Sequence, residues 1–380
     1  MSQGIDQSTA LPDTARVFGA NWLRSTRQRL VRTLTAHLPF IILVGLYLAG
    51  GVVAARLSGM SHRVSLVSYG DVIPTMTWMC LWFWMIGYPF YVMSVVQPKN
   101  LFKHIREDLV NVWLTPERLL GGLIIFALLP VVISVFSSLK MLIPEFRPFC
   151  FDTTFESLDR TLHFGVAPWR LLHPLMGWPI ISCAFNFLYN IWFFVLYGIL
   201  FWQAFSVSRP KLRMQFFLTF VLLWAVVGGP LAVLWSSAGP VYYQRVTGAS
   251  VDPYEPLMTY LNQANESVPL WSLAVQEKLW DDYQKQGGML GGGISAMPSM
   301  HVASAILFAL VGFQVSRRLG KWLAVYAALI WLGSIHLGWH YAVDGYVSLL
   351  LTIGLWWLVG KAVRSRMWPT ASGSNELAAN

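Results

Sequence analysis

Two histidines and an aspartate lie at matched ends of an apolar hairpin in the second half of the chain. His301 comes directly before the apolar run 302–315, and a second apolar run, 322–337, ends just before His340. At about 1.5 Å of rise per residue the runs are similar in length, so the chain returns to the depth from which it left. Asp344 follows His340 by four residues and shares its face if that stretch is helical. These residue types and spacings are typical of a histidine nucleophile, an orienting carboxylate and a second acid–base group.

Two cations and a hydroxyl have the chemistry to hold a phosphate beside these groups. Lys140 and Arg147 follow a third apolar run, whose end is predicted to lie on the same side of the membrane as the histidines. Both cations would neutralise phosphoryl oxygens, with help from the Ser299 hydroxyl. A lysine and an arginine that flank a membrane span also serve as interfacial anchors, and spacing alone leaves that alternative open.

The elements that position these residues are predicted to be membrane helices. Of the 380 residues, 56% are hydrophobic and only 12% are charged. In soluble domains about a quarter of the residues are charged. Eight apolar runs are long enough to predict membrane-spanning helices. These runs are residues 38–57, 74–97, 119–138, 180–206, 214–236, 302–316, 322–338 and 343–360.

The distribution of charge predicts how these spans are oriented. The net charge of +9 is spread over short loops, which argues against the concentrated basic patch of a nucleic-acid-binding protein. Basic residues precede the first span and follow the fourth, sixth and eighth, a pattern that predicts cytoplasmic N- and C-termini. Segment 238–297 carries three basic and six acidic residues, so it is predicted to lie outside with His301 and His340.

Two long outer loops are predicted to contain amphipathic helices. In residues 155–164 the apolar positions recur at spacings of three and four, which predicts an interfacial helix. Residues 250–286 mix large apolar and polar residues and are expected to roof the site. The glycines of residues 287–293, just before the second motif, are interpreted as a flexible linker.

The chain resembles the type 2 phosphatidic acid phosphatase superfamily at all three motifs of that superfamily. The motifs are Lys-x6-Arg-Pro, Pro-Ser-Gly-His and Ser-Arg-x5-His-x3-Asp, and they occur here in the same order. The matching residues are Lys140, Arg147 and Pro148 for the first motif, Pro298, Ser299 and His301 for the second, and His340 and Asp344 for the third.

Two departures from the motifs indicate a branch of the superfamily. Met300 replaces the glycine of the second motif, and Gly333-Ser334 replaces the Ser-Arg pair of the third. The missing arginine helps to hold phosphate in the phosphatases. Without this arginine, the third motif resembles that of lipid phosphotransferases more than that of the phosphatases. Examples of these phosphotransferases are sphingomyelin synthases and the inositol phosphorylceramide synthases that aureobasidin targets. The run 293–301 also resembles the inositol phosphorylceramide synthases and their bacterial relatives.

The resemblance implies a metal-independent enzyme with a His-His-Asp triad and no cofactor. His340 would attack a lipid phosphate to form a phosphohistidine, with Asp344 fixing the imidazole tautomer. His301 would protonate the leaving alkoxide and then deprotonate the second nucleophile. Lys140, Arg147 and Ser299 would bind the phosphate. His336, one turn before His340, is either a substrate contact or a polar residue at a helix end.

The function expected from this resemblance is transfer of a phospho-headgroup, for example phosphoinositol, from a glycerophospholipid to ceramide or diacylglycerol. The alternative within the superfamily is a phosphatase that uses water and acts on phosphatidic acid or a prenyl diphosphate. A transporter is disfavoured, because transporter sites usually lie near the bilayer midplane within paired repeats. An inactive lipid-binding relative is disfavoured because the three catalytic residues are intact. The expected partners are the two lipids and the bilayer, without nucleic acid or an obligate protein partner.

The predicted fold is all-α, a polytopic membrane helix bundle of about eight transmembrane helices with amphipathic helices on its outer face. Residues 1–36 are expected to form a polar cytoplasmic segment and residues 37–114 two accessory spans. A six-helix catalytic core would follow over residues 115–362 and a cytoplasmic tail over residues 363–380. The expected location is a bacterial inner membrane with the site facing the periplasm, and a Golgi membrane with the site facing the lumen would be chemically equivalent.

Overall fold

The computed structural model describes residues 13–365, and every regular element in that part of the chain is a helix. This agrees with the predicted all-α class. Residues 1–12 of the predicted polar segment and residues 366–380 of the predicted tail lie outside the described residues.

The α-helices of the described residues are numbered here in chain order. The first nine are α1 (Asp13–Leu57), α2 (Val72–Tyr91), α3 (Leu101–Asp108), α4 (Pro116–Met141), α5 (Ile143–Phe146), α6 (Asp152–Leu162), α7 (Pro168–Met176), α8 (Pro179–Asn190) and α9 (Trp192–Ala204). They are followed by α10 (Pro210–Leu222), α11 (Ala232–Leu234), α12 (Tyr243–Thr247), α13 (Glu255–Ser267), α14 (Trp271–Gln284), α15 (Met300–Val315), α16 (Arg317–His336) and α17 (Ala342–Arg364). The described part also contains the π-helical segments Val92–Val96, Leu109–Trp113 and Leu223–Leu231 and the 3₁₀ turns Ser61–Arg63 and Pro240–Tyr242.

Seven helical stretches of the described chain are long and apolar enough to cross a bilayer, so this is a multi-pass membrane protein. They are Arg27–Leu57, Pro74–Val96, Pro116–Met141, Pro179–Ala204, Pro210–Leu234, Arg317–His336 and Ala342–Arg364. The remaining predicted span, 302–316, corresponds to α15, which is apolar but only 16 residues long.

The short length of α15 affects where its first residues lie. A helix of this length extends about 24 Å, against about 30 Å for the hydrocarbon core of a bilayer. If its basic end, followed by Arg317 and Arg318, lies at one surface, the opposite end lies below the other surface. His301, in the first turn of α15, is therefore expected slightly inside the membrane rather than on it.

The hairpin α15–α16 lies in the core of the bundle, and most side chains of α15 are buried. Glycines allow the two helices to approach closely beside their turn. A Cβ atom added to Gly312 would lie 3.2 Å from the Cα atom of Gly320. Small residues at such positions are the usual means of close helix packing in membranes.

A buried arginine joins helices at the end of the bundle opposite the histidines. Arg213 of α10 donates to the carbonyl oxygens of Gln203, Ala204 and Gly121 at 2.7 to 3.0 Å, and its Nη1 lies 2.8 Å from His37 Nε2. These partners belong to α9, α4 and α1. The network therefore fastens α1, predicted as an accessory span, to the helices of the predicted core.

Amphipathic helices cover the end of the bundle that carries the histidines. The predicted interfacial helix is α6, and the predicted roof over residues 250–286 contains α13 and α14. In α6, Asp152, Phe155 and Asp159 are buried against the bundle. The prediction of an interfacial helix is therefore incomplete for α6. Two of its carboxylates are buried against the bundle instead of lying on a solvated face.

Candidate active site

The two histidines are positioned by the ends of three helices. Ser299 caps α15, its Oγ accepting from the Val302 backbone N–H at 3.4 Å, which places His301 in the first turn. His340 lies in the loop between α16 and α17. The loop is held by the Ser334 carbonyl, which accepts from the backbone N–H groups of Trp339 at 2.9 Å and His340 at 3.2 Å. The two imidazole centroids are 6.4 Å apart.

His340 and Asp344 form a buried pair, although not on one face of a helix. His340 Nδ1 lies 3.1 Å from Asp344 Oδ2. The prediction that both residues lie on one face of a helix is wrong, because α17 begins only at Ala342 and His340 precedes it. Asp344 instead reaches back from the first turn, and its Oδ2 also accepts from the Tyr341 backbone N–H at 3.1 Å. The carboxylate is thus fixed to both the ring and the backbone of the loop.

The surroundings of His340 favour a neutral, nucleophilic imidazole. Burial lowers the pKa of His340 to about 3, against the opposing effect of the Ala296 backbone, and the nearby positive charge of Lys140 lowers it further. With Nδ1 held by Asp344, the nitrogen that can attack phosphorus is Nε2. The pair has the components that a phosphohistidine mechanism requires.

His301 is held between aromatic side chains. Its ring stacks on Tyr189 with centroids 4.6 Å apart and an interplanar angle of 20°, and the Trp192 ring lies at 4.2 Å. Trp339 stacks on the same tyrosine at 6.0 Å. These rings restrict the orientation of the imidazole and separate it from bulk water.

A cavity of about 430 Å³ connects His301, His340 and Lys140. Lys140 lies in the last turn of α4, and among the described residues it is the only lysine or arginine in the cavity wall. The rest of the wall is mainly aromatic and aliphatic. A single cation beside two imidazoles suits a phosphoryl group attached to an apolar molecule.

The cavity extends from the histidines toward the interior of the bundle. Ile133 and Lys140 both line it, and their separation of seven positions corresponds to about 10 Å along α4. Tyr197 and Trp224 line it from α9 and the π-helical segment. At the end of the bundle that carries the histidines, Leu279 of α14 contributes to the wall, as the predicted roof requires.

The glycine-rich segment before the second motif also lines the cavity. Gly293 has φ +83°, and a Cβ atom there would lie 2.9 Å from the Lys140 carbonyl carbon. Gly291 and Gly292 are likewise in the wall. The flexible-linker interpretation of residues 287–293 is therefore wrong for Gly292 and Gly293, because they pack against Lys140 and Met141 at the end of α4.

Two of the residues predicted to bind phosphate do not line this cavity. Arg147 Nη1 donates to the Leu234 carbonyl at 2.8 Å, and its guanidinium lies 4.8 Å from the centroid of the Phe151 ring. Ser299 is fully buried as the α15 cap, and its carbonyl accepts from Ser348 at 3.0 Å. Lys140 is the predicted phosphate ligand that the structure places beside both histidines.

His336 is also outside the cavity wall. It is fully buried, and its Nε2 lies 2.8 Å from Ser182 Oγ, which is itself 2.8 Å from the Tyr260 hydroxyl. These contacts connect α16, α8 and α13. Of the two interpretations of His336, they favour a polar residue at a helix end over a substrate contact.

Two buried carboxylates that were not predicted from the sequence hold the loop 337–341 and the start of α17. Asp152 accepts from the Tyr341 hydroxyl at 2.8 Å and from two backbone N–H groups, and Asp159 accepts from the N–H groups of Ala342 and Val343. A signal was present, because residues 152, 155 and 159 fall on one face of a helix and this face is apolar at Phe155. Within residues 13–365 no group of three or more His, Cys, Asp or Glu side chains is arranged to hold a metal ion.

Comparison with known families agrees with this geometry. A family model described as the PAP2 superfamily matches residues 153–358, which is more than half of the chain. The chain belongs to the PAP2 superfamily. The matched region contains His301, His340 and Asp344, whereas Lys140 and Arg147 precede it. No curated protein and no solved structure matched the chain. PAP2 membership supports phosphatase or phosphotransferase chemistry and confirms the superfamily predicted from the three motifs.

Proposed function

We propose that this PAP2 protein is a lipid phosphotransferase that moves a phospho-headgroup, such as phosphoinositol, from a glycerophospholipid to ceramide or diacylglycerol. The observation that carries the lipid assignment is the continuity of one cavity. The same space contacts His301, His340 and Lys140 at one end and aromatic and aliphatic side chains about 10 Å deeper. A phosphate with an attached hydrocarbon chain matches both ends.

In the first step the neutral His340 attacks phosphorus through Nε2. His301 takes up a proton when the anionic phosphate binds beside it. The N–P bond forms as the bond from phosphorus to the glycerol oxygen breaks, and His301 transfers this proton to that oxygen. Diacylglycerol leaves, and the headgroup phosphate stays on His340. Asp344 keeps the Nδ1 proton in place and stabilises the positive charge that develops on the ring.

In the second step His301, now neutral, removes the proton from the hydroxyl of the acceptor lipid. The acceptor oxygen attacks phosphorus, the N–P bond breaks, and His340 returns to its neutral form. Both steps develop negative charge on the equatorial oxygens, beside Lys140. A preorganised donor in such a position contributes about 3 to 4 kcal/mol to the transition state.

A lipid phosphatase is the second candidate, since it shares the first step and uses water in the second. Two observations favour a transferase. Ser334 stands at the position of the phosphatase arginine, and its hydroxyl donates to the Trp331 carbonyl at 2.7 Å, so no cation from this position reaches the phosphate. The wall around the histidines is also largely apolar, which suits a lipid alcohol better than water as the second nucleophile.

A product assay on purified protein in detergent distinguishes the two candidates. Labelled phosphatidylinositol is offered with and without ceramide, or with a diacylglycerol of different chain length so that the product can be distinguished, and labelled phosphatidic acid is offered separately. His340→Ala serves as the blank. A new phospholipid that forms only with an acceptor supports the transferase. Release of phosphate from phosphatidic acid regardless of acceptor would replace it with the phosphatase.

We further propose that the active site faces the periplasm of a bacterial inner membrane, with both termini in the cytoplasm. The acidic segment 238–297 and the basic loops at the opposite ends of the spans support this orientation. Cys150 provides a test, because it is exposed beside the end that carries the histidines. A membrane-impermeant maleimide should label it in spheroplasts, with Cys150→Ser as the control. Labelling only after lysis would reverse the orientation.

A further inference from the structure

Helix α6 holds the start of α17 through one buried carboxylate. Asp159 is 2% exposed, and its two oxygens accept from the backbone N–H groups of Ala342 at 2.7 Å and Val343 at 2.8 Å. These N–H groups belong to the first turn of α17 and have no partner within their own helix. The carboxylate satisfies both and places its negative charge at the positive end of the helix dipole.

The same turn of α17 carries the carboxylate that orients the proposed nucleophile. Asp344 lies one residue beyond Val343, and its Oδ2 binds both His340 Nδ1 and the Tyr341 N–H. A displacement of the first turn would therefore change the position of Asp344 relative to the imidazole. Asp159 thus fixes the backbone from which Asp344 reaches His340.

A second carboxylate of α6 joins the loop that contains Ala238 and Gly239 to the loop that contains Tyr341. Asp152 Oδ1 accepts from the Tyr341 hydroxyl at 2.8 Å, and its carboxylate accepts from the N–H groups of Ala238 and Gly239 at 2.8 to 3.1 Å. Ala238 lines the cavity. Gly239 packs against the catalytic loop, since a Cβ atom on it would lie 2.6 Å from the Trp339 carbonyl oxygen. One side chain therefore joins two cavity-forming loops.

We propose that Asp159, supported by Asp152 two turns earlier on α6, is a positioning residue for phosphoryl transfer. It holds the His340–Asp344 pair in reacting geometry through the backbone of residues 341–343. This inference depends on the proposed role of His340 as the nucleophile. Neither carboxylate lines the cavity, so neither is expected to contact substrate.

The cost of burial supports a role beyond packing. A buried carboxylate loses its hydration, and groups of this kind in membrane proteins are retained chiefly where they have a function. Burial raises the pKa of Asp159 to about 7, even though its two N–H donors favour the ionised form. An apolar side chain would pack on the bundle without this cost, but it would leave both helix N–H groups without an acceptor.

The test compares Asp159→Asn with a carboxylate that accepts no hydrogen bond from α17. Asp252 also accepts a backbone N–H, that of Tyr254 at 2.9 Å, in the same outer region. Asp159→Asn keeps the size of the side chain but replaces one acceptor by an NH₂ group. We expect kcat to fall by about 100-fold, the loss that a misplacement of about 1 Å produces, with KM changed by no more than about twofold. Asp252→Asn should keep wild-type kcat and KM.

Three readouts separate a positioning role from a purely structural one. The expected result is slow phosphohistidine formation per folded molecule of Asp159→Asn, a loss larger than any fall in melting temperature explains, and partial loss of kcat in Tyr341→Phe, which removes the bond to Asp152. Wild-type kcat in Asp159→Asn, with His340→Ala inactive, would overturn the inference and leave the proposed function intact. A loss of kcat that only parallels a loss of folded protein would also overturn it. An active His340→Ala would overturn both the nucleophile and its positioning residue.

Discussion

Buried charges hold helix ends at both ends of this bundle, with opposite signs. At the end that carries the histidines, Asp159 accepts from the N–H groups that begin α17. At the opposite end, Arg213 donates to the carbonyl oxygens of Gln203 and Ala204, which end α9. In both places the side chain satisfies backbone groups that a helix leaves unpaired, and its charge complements the helix dipole.

The two networks differ in the residues that their contacts connect. The contacts of Arg213 join α10 to α1, α4 and α9, and they include none of the candidate catalytic residues. The contacts of Asp159 continue through α17 to Asp344 and then to His340 in the cavity wall. The same physical arrangement therefore stabilises the fold at one end and is expected to set catalytic geometry at the other.

The largest effect is expected from removing His340, the residue at which the contacts of Asp159 end. His340→Ala should lower kcat by at least about 10⁴-fold, since loss of a covalent nucleophile is rarely compensated. Its melting temperature should stay near that of wild type, because the ring faces the cavity. The lipid-product assay and a thermal melt in detergent measure the two quantities. Turnover within about tenfold of wild type would remove His340 from the nucleophile role.

Removal of the Arg213 charge should lower the stability of the fold rather than kcat. Arg213→Met leaves three carbonyl oxygens and His37 without their donor, and the loss of one partner from a buried polar network costs about 3 to 5 kcal/mol. The remaining folded protein should keep the wild-type kcat per active site, titrated by phosphohistidine content. Lys211→Gln on the same helix is the control, because Lys211 is exposed. A stable variant with low kcat would contradict the division between the two ends.

The two cations of the first motif should differ in importance. Lys140 is in the cavity wall, so Lys140→Met should lower kcat/KM by about 100- to 1000-fold through lost transition-state stabilisation. Arg147 is engaged with the Leu234 carbonyl, and Arg147→Gln should cost about tenfold or less. Steady-state kinetics of both variants decide the matter. A larger loss for Arg147→Gln would show that its guanidinium reaches the phosphate during the reaction.

The hairpin and its candidate catalytic residues were predictable because the signals are local. Apolar runs of a given length specify spans; His301 directly precedes one run, and His340 and Asp344 closely follow the next. The bond from Asp159 to Ala342 joins residues far apart in sequence, and no local pattern encodes it. The same limitation applies to Arg147, whose spacing matches a motif while its partner, Leu234, is set by tertiary packing.

The contacts of Asp159 should also make kcat depend on pH, with a smaller effect than the substitutions above. Asp159 has a pKa raised to about 7 by burial and by the charge of Asp344 on α17, while His163 at the end of α6 opposes the shift, and Tyr254 also faces it. A raised pKa means that the ionised form exists above about pH 7 and is lost below it. The neutral acid accepts more weakly from Ala342 and Val343, so kcat should fall by about tenfold as pH drops from about 8 to about 6. Asp159→Asn should lack this change, and an identical acid limb in that variant would assign it to another group.

The smallest expected effect concerns the deep part of the cavity, where no charge is involved. Trp224 lines the chamber and packs against Phe136, about one helical turn below Lys140 along α4, so Trp224→Ala should enlarge the space for a hydrocarbon chain. Longer acyl chains should gain over shorter ones by about fivefold, equivalent to about 1 kcal/mol. Because Trp224→Ala also lowers stability, the two chain lengths should compete in one reaction, where the amount of folded enzyme cancels. Trp322→Ala is the control, since Trp322 is 73% exposed at the opposite end. An unchanged ratio would mean that the reacting chain does not occupy this chamber, and the apolar volume beside the histidines would then hold the second lipid or none.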